Sequence, residues 1–519
     1  MTTGRFIFKA TLTIAFFSLM SKALGLMRDI VLAHQFGTSL PFDCYQIAIR
    51  LPNMLFAIVS GALVTVIVPV FVEYAGKGKK EEAWKIFKTV TVLLAVFYLV
   101  AALVGILAAP LLVKFLAPFY QAEEWQLLTQ LLRTLMPLML FTGLASLFTG
   151  LLNANNIFGL PAFSTSVNNI LIIFFTLTLG AYYGIHGLAL GTVLAAAGMA
   201  LIQLPVLIKS GFRLRLPFDL KHPGVRKLYY LALPSAIGIA INQVPPLINT
   251  MLGSWLPEGS ISALSYADRL NQFPLGLFGM ALSTAIFPTL SARAAAGDWA
   301  GLSQLMSKAI KLIVLITVPA SAGLMVLSKP IVSLTFQRGA FDQASTEITS
   351  IAVFFYAIGL LGQAGVFLLV RVYYSMQDTR TPVKIAVVAV LLYLVLSIIL
   401  IRPLQLGGLA LASSLYNLAN MLLLLYFLRR KMPGLHHNGL LKFSLAVLVS
   451  SLLMAFVCHF FNLALDGRFL GTMGLLLQVG LVGVAGVVVY SAAVLLLGRR
   501  EIKYFWDSVR GRRQRGDQA

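Results

Sequence analysis

The stretch TVLLAVFYLVAALVGILAAPLLV, residues 91–113, decides the fold class, because it runs for 23 residues without a charged side chain. A helix needs roughly 20 apolar residues to cross the hydrocarbon core of a bilayer. The stretch LLLQVGLVGVAGVVVYSAAVLLL, residues 475–497, is a second run of this kind. Strands of a membrane barrel are shorter and alternate apolar with polar residues. These runs therefore predict membrane-spanning helices.

The composition supports the same class. The chain has 519 residues, of which 59% are hydrophobic and 11% charged, and its mean hydropathy is +0.88. So few charges cannot cover the surface of a soluble protein of this length. The formal net charge is +22, but the basic residues are spread over short connections, which is typical of cytoplasmic anchoring and not of nucleic-acid binding. The basic stretch RGRRQRG at 510–516 is expected to contact anionic membrane lipids.

Apolar runs separated by polar connections predict about fourteen spans. Their approximate limits are 8–35, 42–74, 86–117, 126–152, 162–183, 187–209, 227–253, 260–291, 303–327, 345–375, 383–402, 408–429, 440–463 and 473–497. The connections are too short for a folded domain outside the membrane. Two cysteines and six histidines show no spacing typical of a disulfide framework or a metal site.

The charge of the connections predicts the orientation. Connections after even-numbered spans carry the basic residues Lys77, Lys79, Lys80, Arg213, Arg215, Lys221, Arg226, Lys227, Arg293, Arg380, Lys384, Arg429, Arg430 and Lys431. Among the connections after odd-numbered spans, 37–41 and 254–260 have no basic residue, and 118–125 is acidic. Since basic connections stay on the cytoplasmic side, both termini are predicted to be cytoplasmic.

Two pairs of stretches repeat at nearly one offset. IRLPNMLFAIVSGALVTVIVPVF (49–71) aligns with DRLNQFPLGLFGMALSTAIFPTL (268–290) at an offset of 219, and HGLALGT (186–192) aligns with GGLALAS (407–413) at 221. Such matches indicate an internal duplication. Each copy would hold six spans, and an even number returns the chain to its starting side. The copies are therefore expected to be parallel, related by an axis along the membrane normal.

The predicted fold is an all-α polytopic membrane protein with about fourteen transmembrane helices. It would consist of two six-helix lobes related by internal duplication, followed by two C-terminal helices. The predicted divisions are an N-lobe at 1–222, a C-lobe at 223–432, the last two helices at 433–500 and a basic cytoplasmic tail at 501–519. This is a transporter layout, with the working site expected between the lobes.

Charged side chains occur within three of the predicted spans. They are Lys22, Arg28 and Asp29 in the first span, Asp43 and Arg50 in the second, and Asp268 and Arg269 in the eighth. A charge in the bilayer costs about 2.5–3.5 kcal/mol on insertion scales, so these residues predict a polar cavity shielded from lipid. Positively charged side chains outnumber acidic ones there, and the parallel N–H groups of an arginine match the oxygens of a phosphate. The cavity is therefore expected to bind an anion, in particular a phosphate.

The acidic residues have a second interpretation. Asp29 could pair with Arg28 or Arg50, and Asp268 with Arg269, as contacts that hold the helices together. Asp43 lies near the end of its span, where it could be solvated or bind a coupling ion.

Four motifs resemble the MurJ (MviN) family. SKALGLMRD (21–29) and LPN (51–53) are similar to motifs in the first two helices of the family. ADRLNQFP (267–274) looks like a part of its eighth helix, and YSMQDTRTPVK (374–384) is similar to the connection after its tenth. The likeness covers nearly the whole chain in order, and the last two motifs are specific.

The resemblance implies a bacterial lipid II flippase of the MOP exporter superfamily, with fourteen helices in two lobes. The implied substrate is undecaprenyl-pyrophosphate-linked peptidoglycan precursor, moved from the inner to the outer leaflet of the cytoplasmic membrane. Lys22, Arg28 and Arg269 would line the central cavity, while Ser21 and Asp43 match positions that are functional in the family. The last two helices, at about 440–497, would form a groove for the polyprenyl tail.

This sequence departs from the family pattern at one place. The family commonly follows its Leu-Pro-Asn with an arginine pair and then Glu-Gly-Ala, whereas LPNMLFAIVSGAL (51–63) has neither the arginines nor the glutamate. Lys22 also stands where arginine is usual. Arg50 is the cation in this sequence that could compensate.

The function predicted from the sequence is a flippase that works by alternating access, and no catalytic residue is expected. It needs no bound cofactor, and either a coupling cation (Na⁺ or H⁺) or the membrane potential would drive it; cell-wall synthesis enzymes are candidate partners. Flippases for other polyprenyl-linked glycans and cation-coupled exporters of the same fold remain alternatives, although an exporter of organic cations should have an acidic cavity. A membrane enzyme is disfavoured because carboxylates are scarce, and a scaffold because charges recur within the membrane.

Overall fold

The computed structural model describes residues 3–212, 218–432, 439–466, 468 and 471–497. All regular secondary structure in these residues is helical. The predicted basic tail at 501–519 and the basic residues Arg213 and Arg215 lie outside this part of the chain.

Ten helices form the first half of the chain. They are α1 (Thr3–Phe36), α2 (Leu40–Ala48), α3 (Arg50–Gly76), α4 (Lys80–Leu116), α5 (Ala122–Leu135), α6 (Leu138–Ala154), α7 (Gly159–Leu177), α8 (Leu179–Leu201), α9 (Leu204–Lys209) and α10 (Pro223–Gly253). Several predicted spans consist of two helices that follow each other directly. The second span, for example, is α2 followed by α3, and the chain departs from the helix only around Ile49.

Ten more helices form the second half. They are α11 (Ser260–Pro274), α12 (Ala281–Ala295), α13 (Trp299–Val326), α14 (Ser328–Phe336), α15 (Gln343–Ile358), α16 (Leu360–Ser375), α17 (Arg380–Leu404), α18 (Leu406–Lys431), α19 (Leu440–Leu465) and α20 (Gly471–Leu497). A π-helical segment at Leu275–Met280 joins α11 to α12. Proline at 274 removes a backbone donor, which explains why the regular α-helix ends there.

The number of spans agrees with the sequence prediction. Eleven helices in the described residues are long and apolar enough to cross a bilayer, and two bent helix pairs bring the number to thirteen. The bent pairs are α11 with α12, at 46°, and α15 with α16, at 44°. The remaining predicted span is α1, a helix of 34 residues that contains Lys22, Arg28 and Asp29. The predicted all-α polytopic fold is confirmed.

The chain forms two compact units. The first comprises Met1–Ser262 with Arg338–Asp342, and the second comprises Ala263–Gln337 with Gln343–Ala519. The first unit includes α10, which the sequence repeat assigns to the second copy. Compactness and internal repetition are different properties of a chain, and the division into lobes at residue 222 stays a prediction.

Unusual backbone conformations recur at equivalent positions of the two halves. Asn156 and Gln377 both have a left-handed conformation, with φ of 60° and 59°. Gly184 and Gln405 form a second such pair, with φ of 57° and 48°. Positive φ is uncommon for residues other than glycine, yet each pair is separated by 221 positions, the offset of the HGLALGT repeat. The two halves therefore turn in the same way at equivalent helix junctions.

The glycines of this repeat permit a close backbone approach. A Cβ atom at Gly187 would collide with the carbonyl oxygen of Leu179, and one at Gly408 with that of Leu400. In each half the chain departs from the helix at a residue of positive φ, Gly184 within α8 or Gln405 between α17 and α18. The glycine three residues later faces the backbone that precedes this departure. The sequence match thus has a steric cause that is the same in both halves.

We expect alanine at Gly187 or Gly408 to destabilise the protein by about 1–3 kcal/mol, as overpacking of a well-packed site does. Gly480→Ala is the matched control, because a Cβ at Gly480 has nothing within 4 Å. The midpoint of thermal unfolding in detergent and the yield of monodisperse protein measure the effect. Equal behaviour of the three variants would contradict the steric explanation.

The YSMQDTRTPVK motif joins three helix ends. The Asp378 carboxylate accepts a hydrogen bond of 3.0 Å from the backbone N–H of Thr381, in the first turn of α17. Lys431, the last residue of α18, donates to Asp378 and, at 3.0 Å, to the Thr381 hydroxyl. Burial raises the pKa of Asp378, but the hydrogen bonds from Lys431 and Thr381 outweigh it and lower the pKa to about 2. The motif therefore stabilises the junction between α16, α17 and α18.

Candidate functional site

Arg28 lies in the last third of α1 and is held from two directions. Its Nε and Nη2 atoms donate to Oδ1 of Asp29, at 3.1 and 2.8 Å, and its Nη1 atom donates to Oδ1 of Asn169, at 3.0 Å. The Arg28 side chain is 15% exposed, and Asp29 is buried. The pairing of Asp29 with Arg28 is one of the two partners considered for it from the sequence. It joins neighbouring residues of one helix, so it orients Arg28 without connecting two helices.

The guanidinium retains capacity for a further ligand. It has five N–H groups, and three of them make the bonds to Asp29 and Asn169. Within the described residues the other two have no hydrogen-bond partner. A partly buried arginine that is fixed in place and still has donors is well suited to a phosphate group.

Asn169, on α7, is a part of this arrangement that sequence reasoning missed. Its Nδ2 atom donates to the backbone oxygen of Ser21 at 3.1 Å and to the Ser21 hydroxyl at 3.5 Å. The structure thereby brings Ser21, Arg28 and Asp29 together around one amide. The pair Asn168–Asn169 within an apolar span was the available signal, because polar side chains in a membrane helix are rare and functional by default.

The other cations of the first unit lie on neighbouring segments. Lys22 follows Ser21 on α1 and is exposed. Arg50 is half-buried and is the first residue of α3, directly after the break at Ile49. The hydrogen bonds of Arg28 join it to Asp29 and Asn169 and include neither Lys22 nor Arg50.

Asp43 has a different environment from the one expected. It is 1% exposed, so it is not solvated. Its Oδ2 atom accepts from the backbone N–H of Gly259 at 2.7 Å, and its Oδ1 atom accepts from the N–H of Ser262 at 2.7 Å and from the Ser262 hydroxyl. These donors belong to the first turn of α11 and the residue before it. A carboxylate at this position satisfies helix N–H groups that have no partner within the helix and is attracted by the helix dipole.

Glu258 makes the reciprocal contact. Its Oε1 atom accepts a hydrogen bond of 2.7 Å from the backbone N–H of Leu40, the first residue of α2. Asp43 of α2 thus caps α11, while Glu258 before α11 caps α2. The connections 37–41 and 254–260 are therefore joined by two carboxylate caps. Sequence reasoning recognised both connections as lacking basic residues, but it did not pair them.

Backbone packing tightens the same region. Gly37 and Gly259 have positive φ of 55° and 86°. A Cβ at Gly37 would collide with the carbonyl oxygen of Ala340, and one at Gly259 with that of Thr38. The backbone N–H of Ala340 donates to the oxygen of His34 at 2.8 Å. Three connections of the first unit therefore meet at this place without room for side chains.

Asp268 and Arg269 lie in the second compact unit, on α11. Asp268 is half-buried and Arg269 is exposed. Pro274 and the π-helical segment Leu275–Met280 follow within two turns. Segments of π-helix are rare and occur frequently at functional sites. Pro274 is five residues after Arg269, so the chain leaves the regular α-helix close to these charges.

The described residues contain no group of three or more His, Cys, Asp or Glu side chains that could hold a metal ion. The polar groups that contact Arg28 are the carboxylate of Asp29 and the amide of Asn169.

Comparison with known proteins gives one family. The sequence model of the family described as "Lipid II flippase MurJ" matches residues 32–479. The chain is 31% identical to the probable lipid II flippase MurJ of Vibrio cholerae, over 96% of this chain and 98% of the relative. It is 28% identical to the lipid II flippase MurJ of Burkholderia cenocepacia, over 89% of this chain and 91% of the relative.

Solved structures agree with this result. A lipid II flippase MurJ in an inward closed conformation is similar with a TM-score of 0.79 and 27% identity, covering 95% of this chain and 100% of the other. An inward-facing multidrug resistance MATE transporter of the MOP superfamily shares the fold, with a TM-score of 0.70 and 13% identity over 82% and 98% of the chains. The helices, the charged spans and these matches lead to one conclusion: the chain is a multi-pass membrane transporter and belongs to the MurJ family of lipid II flippases.

Proposed function

We propose that this protein translocates lipid II, the undecaprenyl-pyrophosphate-linked peptidoglycan precursor, from the inner to the outer leaflet of the bacterial cytoplasmic membrane. Family membership supports the activity. The single observation that supports the chemistry is Arg28, which Asp29 and Asn169 hold in place within a membrane span while two of its N–H groups lack partners in the described residues. An uncharged substrate would need no such cation.

Lys22, Arg28 and Arg269 are proposed to bind the diphosphate, with Ser21 and Arg50 beside them. A diphosphate has several oxygens that accept hydrogen bonds, and arginine can donate two parallel bonds to a phosphate. Asp29 and Asp268 then act as charge partners that keep the arginines oriented between transport cycles.

Alternating access is proposed to open and close the joined connections at 37–41 and 254–260. Asp43 and Glu258 hold these connections together by carboxylate caps. On the orientation inferred from basic residues, they lie on the outer side of the membrane, and both termini lie in the cytoplasm. Release of lipid II outward would require the two caps to separate.

The membrane potential is the proposed driving force. An interior-negative potential favours outward movement of an anion by about 2.3 kcal/mol per charge per 100 mV. A coupling cation, Na⁺ or H⁺, is the alternative, and it would act while the empty transporter resets.

The polyprenyl tail is proposed to bind along α19 and α20. Both helices expose large apolar side chains, including Leu441 at 74% and Leu496 at 78%. A long hydrocarbon chain needs such a surface within the bilayer. Anionic lipids are proposed to contact the cytoplasmic ends of the helices, where Arg226 lies over the Tyr230 ring and Arg430 over the Tyr426 ring. Cell-wall synthesis enzymes remain proposed partners.

Depletion of the protein in its native bacterium tests the activity. Lipid II scored separately in each leaflet should accumulate in the inner leaflet and fall in the outer one. Restoring the wild-type chain should reverse both changes. An unchanged distribution after complete depletion would reject lipid II flipping as the function.

A flippase for a different polyprenyl-linked glycan is the second candidate. The stretch LPNMLFAIVSGAL (51–63) favours keeping it, because it lacks the arginine pair and the glutamate expected there. Competition between lipid II and other undecaprenyl-diphosphate glycans for binding to the purified protein separates the two candidates.

A further inference from the structure

Asn169 contacts α1 at two points that are two turns apart. Its Oδ1 atom accepts from Arg28, and its Nδ2 atom donates to the backbone oxygen and the hydroxyl of Ser21. It is 5% exposed and lies on α7, so it reaches α1 from a separate span. Both ends of one amide are therefore used by the helix that carries Arg28.

The orientation of this amide has only one solution. Arginine has donors and no acceptor, and a backbone carbonyl has only an acceptor. If the amide were turned around, its NH₂ group would face Arg28 and its oxygen would face the oxygen of Ser21. The Asn169 oxygen must therefore point toward the guanidinium. The oxygen and the nitrogen of an amide have similar shapes, and their hydrogen-bond partners tell them apart.

Two edges of the guanidinium are fixed by different groups. Asp29 engages Nε and Nη2, whereas Asn169 engages Nη1. With Asp29 alone, Arg28 would be held by a neighbour on its own helix, and its Nη1 end would have no contact with a second span. Asn169 defines the direction in which the remaining N–H groups point.

The neutrality of Asn169 also matters. Asp29 already offsets the positive charge of Arg28 with one carboxylate. A second carboxylate at position 169 would make the cluster net negative and repel a diphosphate. An amide orients the guanidinium through a hydrogen bond and adds no negative charge to the cluster.

We propose that Asn169 is a positioning residue for diphosphate binding, acting through Arg28. The proposal rests on the proposed function, since it assumes that Arg28 binds the diphosphate of the substrate. It adds a residue of the fifth span, α7, to the part of the site that lies on α1. Asn169 itself is not expected to touch the substrate.

The test is a double-mutant cycle with the full-length protein in lipid nanodiscs and undecaprenyl diphosphate as the probe. Asn169→Leu should weaken binding about tenfold, and Arg28→Ala should weaken it at least as much. If Asn169 acts through Arg28, Asn169→Leu should cause no further loss in the Arg28→Ala background. Asn168→Leu is the matched control and should bind as the wild type does, because the described part of the chain shows no hydrogen bond from Asn168 to α1.

The outcomes distinguish failure of the proposed diphosphate site at Arg28 from failure of the proposed role of Asn169. Wild-type affinity of Arg28→Ala would reject the diphosphate site itself. Weak binding by Arg28→Ala with wild-type affinity of Asn169→Leu would reject only the role of Asn169. Additive losses in the double variant would also reject it, because they would mean that Asn169 acts independently of Arg28.

Unfolding midpoints distinguish positioning from a purely structural role. A structural asparagine would lower the midpoint in both backgrounds and leave the affinity of the folded protein unchanged. If Asn169→Leu does not fold, Asn169→Ser replaces it in the cycle, since serine is small and polar but too short to reach Arg28. Its affinity is then compared with that of the wild type and, in the Arg28→Ala background, with that of Arg28→Ala alone.

Discussion

Replacing Arg28 with alanine is expected to lower lipid II translocation by about tenfold to a hundredfold. Hydrogen bonds that involve a charged group contribute about 1.5–3 kcal/mol, and each 1.4 kcal/mol corresponds to a factor of about ten. Arg28 is the cation of the first unit whose orientation is fixed by two partners, Asp29 and Asn169. Translocation is measured by complementing a depletion strain and scoring lipid II in the two leaflets.

Two further variants complete this test. The first shows whether translocation requires the positive charge of Arg28 or its ability to donate two parallel hydrogen bonds. Arg28→Lys keeps the charge but cannot donate two parallel bonds, so it should fall between alanine and wild type. Arg402→Ala is the control, because Arg402 is an exposed arginine in the last turn of α17. The amount of folded protein must be compared for each variant, since alanine at 28 leaves Asp29 without its arginine. Normal translocation by well-folded Arg28→Ala protein would contradict the proposed site.

Replacing Asp43 with asparagine is expected to loosen the connection between α2 and α11 and to impair translocation several-fold or more. The carboxylate uses Oδ2 for the N–H of Gly259 and Oδ1 for that of Ser262. Asparagine has one carbonyl oxygen, so its NH₂ group would face one of these N–H donors. A single isosteric change therefore removes a charge-assisted hydrogen bond and places two donors against each other.

Hydrogen exchange measures this effect directly. The amides of Gly259 and Ser262 should exchange at least about tenfold faster in Asp43→Asn, which corresponds to about 1.4 kcal/mol of local stability. Glu258→Gln is the matched control, because Glu258 accepts through Oε1 from the N–H of Leu40 and a glutamine oxygen can replace it. Equal exchange in the two variants would show that Asp43 does not hold α11.

The fold could be predicted from the sequence because its signals are local. A run such as 91–113 specifies a membrane helix by composition alone, and the repeats at 186–192 and 407–413 reveal the duplication without any contact information. The breaks in the helices were harder to predict from the sequence. The one at Pro274 follows from proline chemistry, and Pro52, which has no N–H to donate to the carbonyl of Ala48, explains the one at Ile49 in the same way. The spans 42–74 and 260–291 were nevertheless each predicted as one run.

The candidate site was predicted only in part. Charges within spans pointed to Arg28 and Asp29 because an ionised group in the bilayer is costly wherever it occurs. Asn169 carries no charge, so its role depends on being opposite Arg28, and 141 positions separate the two residues. Likewise, the partners of Asp43 are 216 and 219 positions away. Pairings over such separations are set by how the helices pack, which a single sequence does not specify.

The left-handed residues at equivalent junctions have a consequence for the history of the chain. Asn156 and Gln377, and Gly184 and Gln405, share a backbone conformation although their side chains differ. Glutamine adopts it against its own steric preference, which means that the geometry has been maintained while the residue types drifted apart. At these positions the backbone dihedral angles preserve the evidence of duplication better than the amino-acid sequence does. Older duplications could therefore be recognised by comparing backbone dihedral angles between two halves whose residues no longer match.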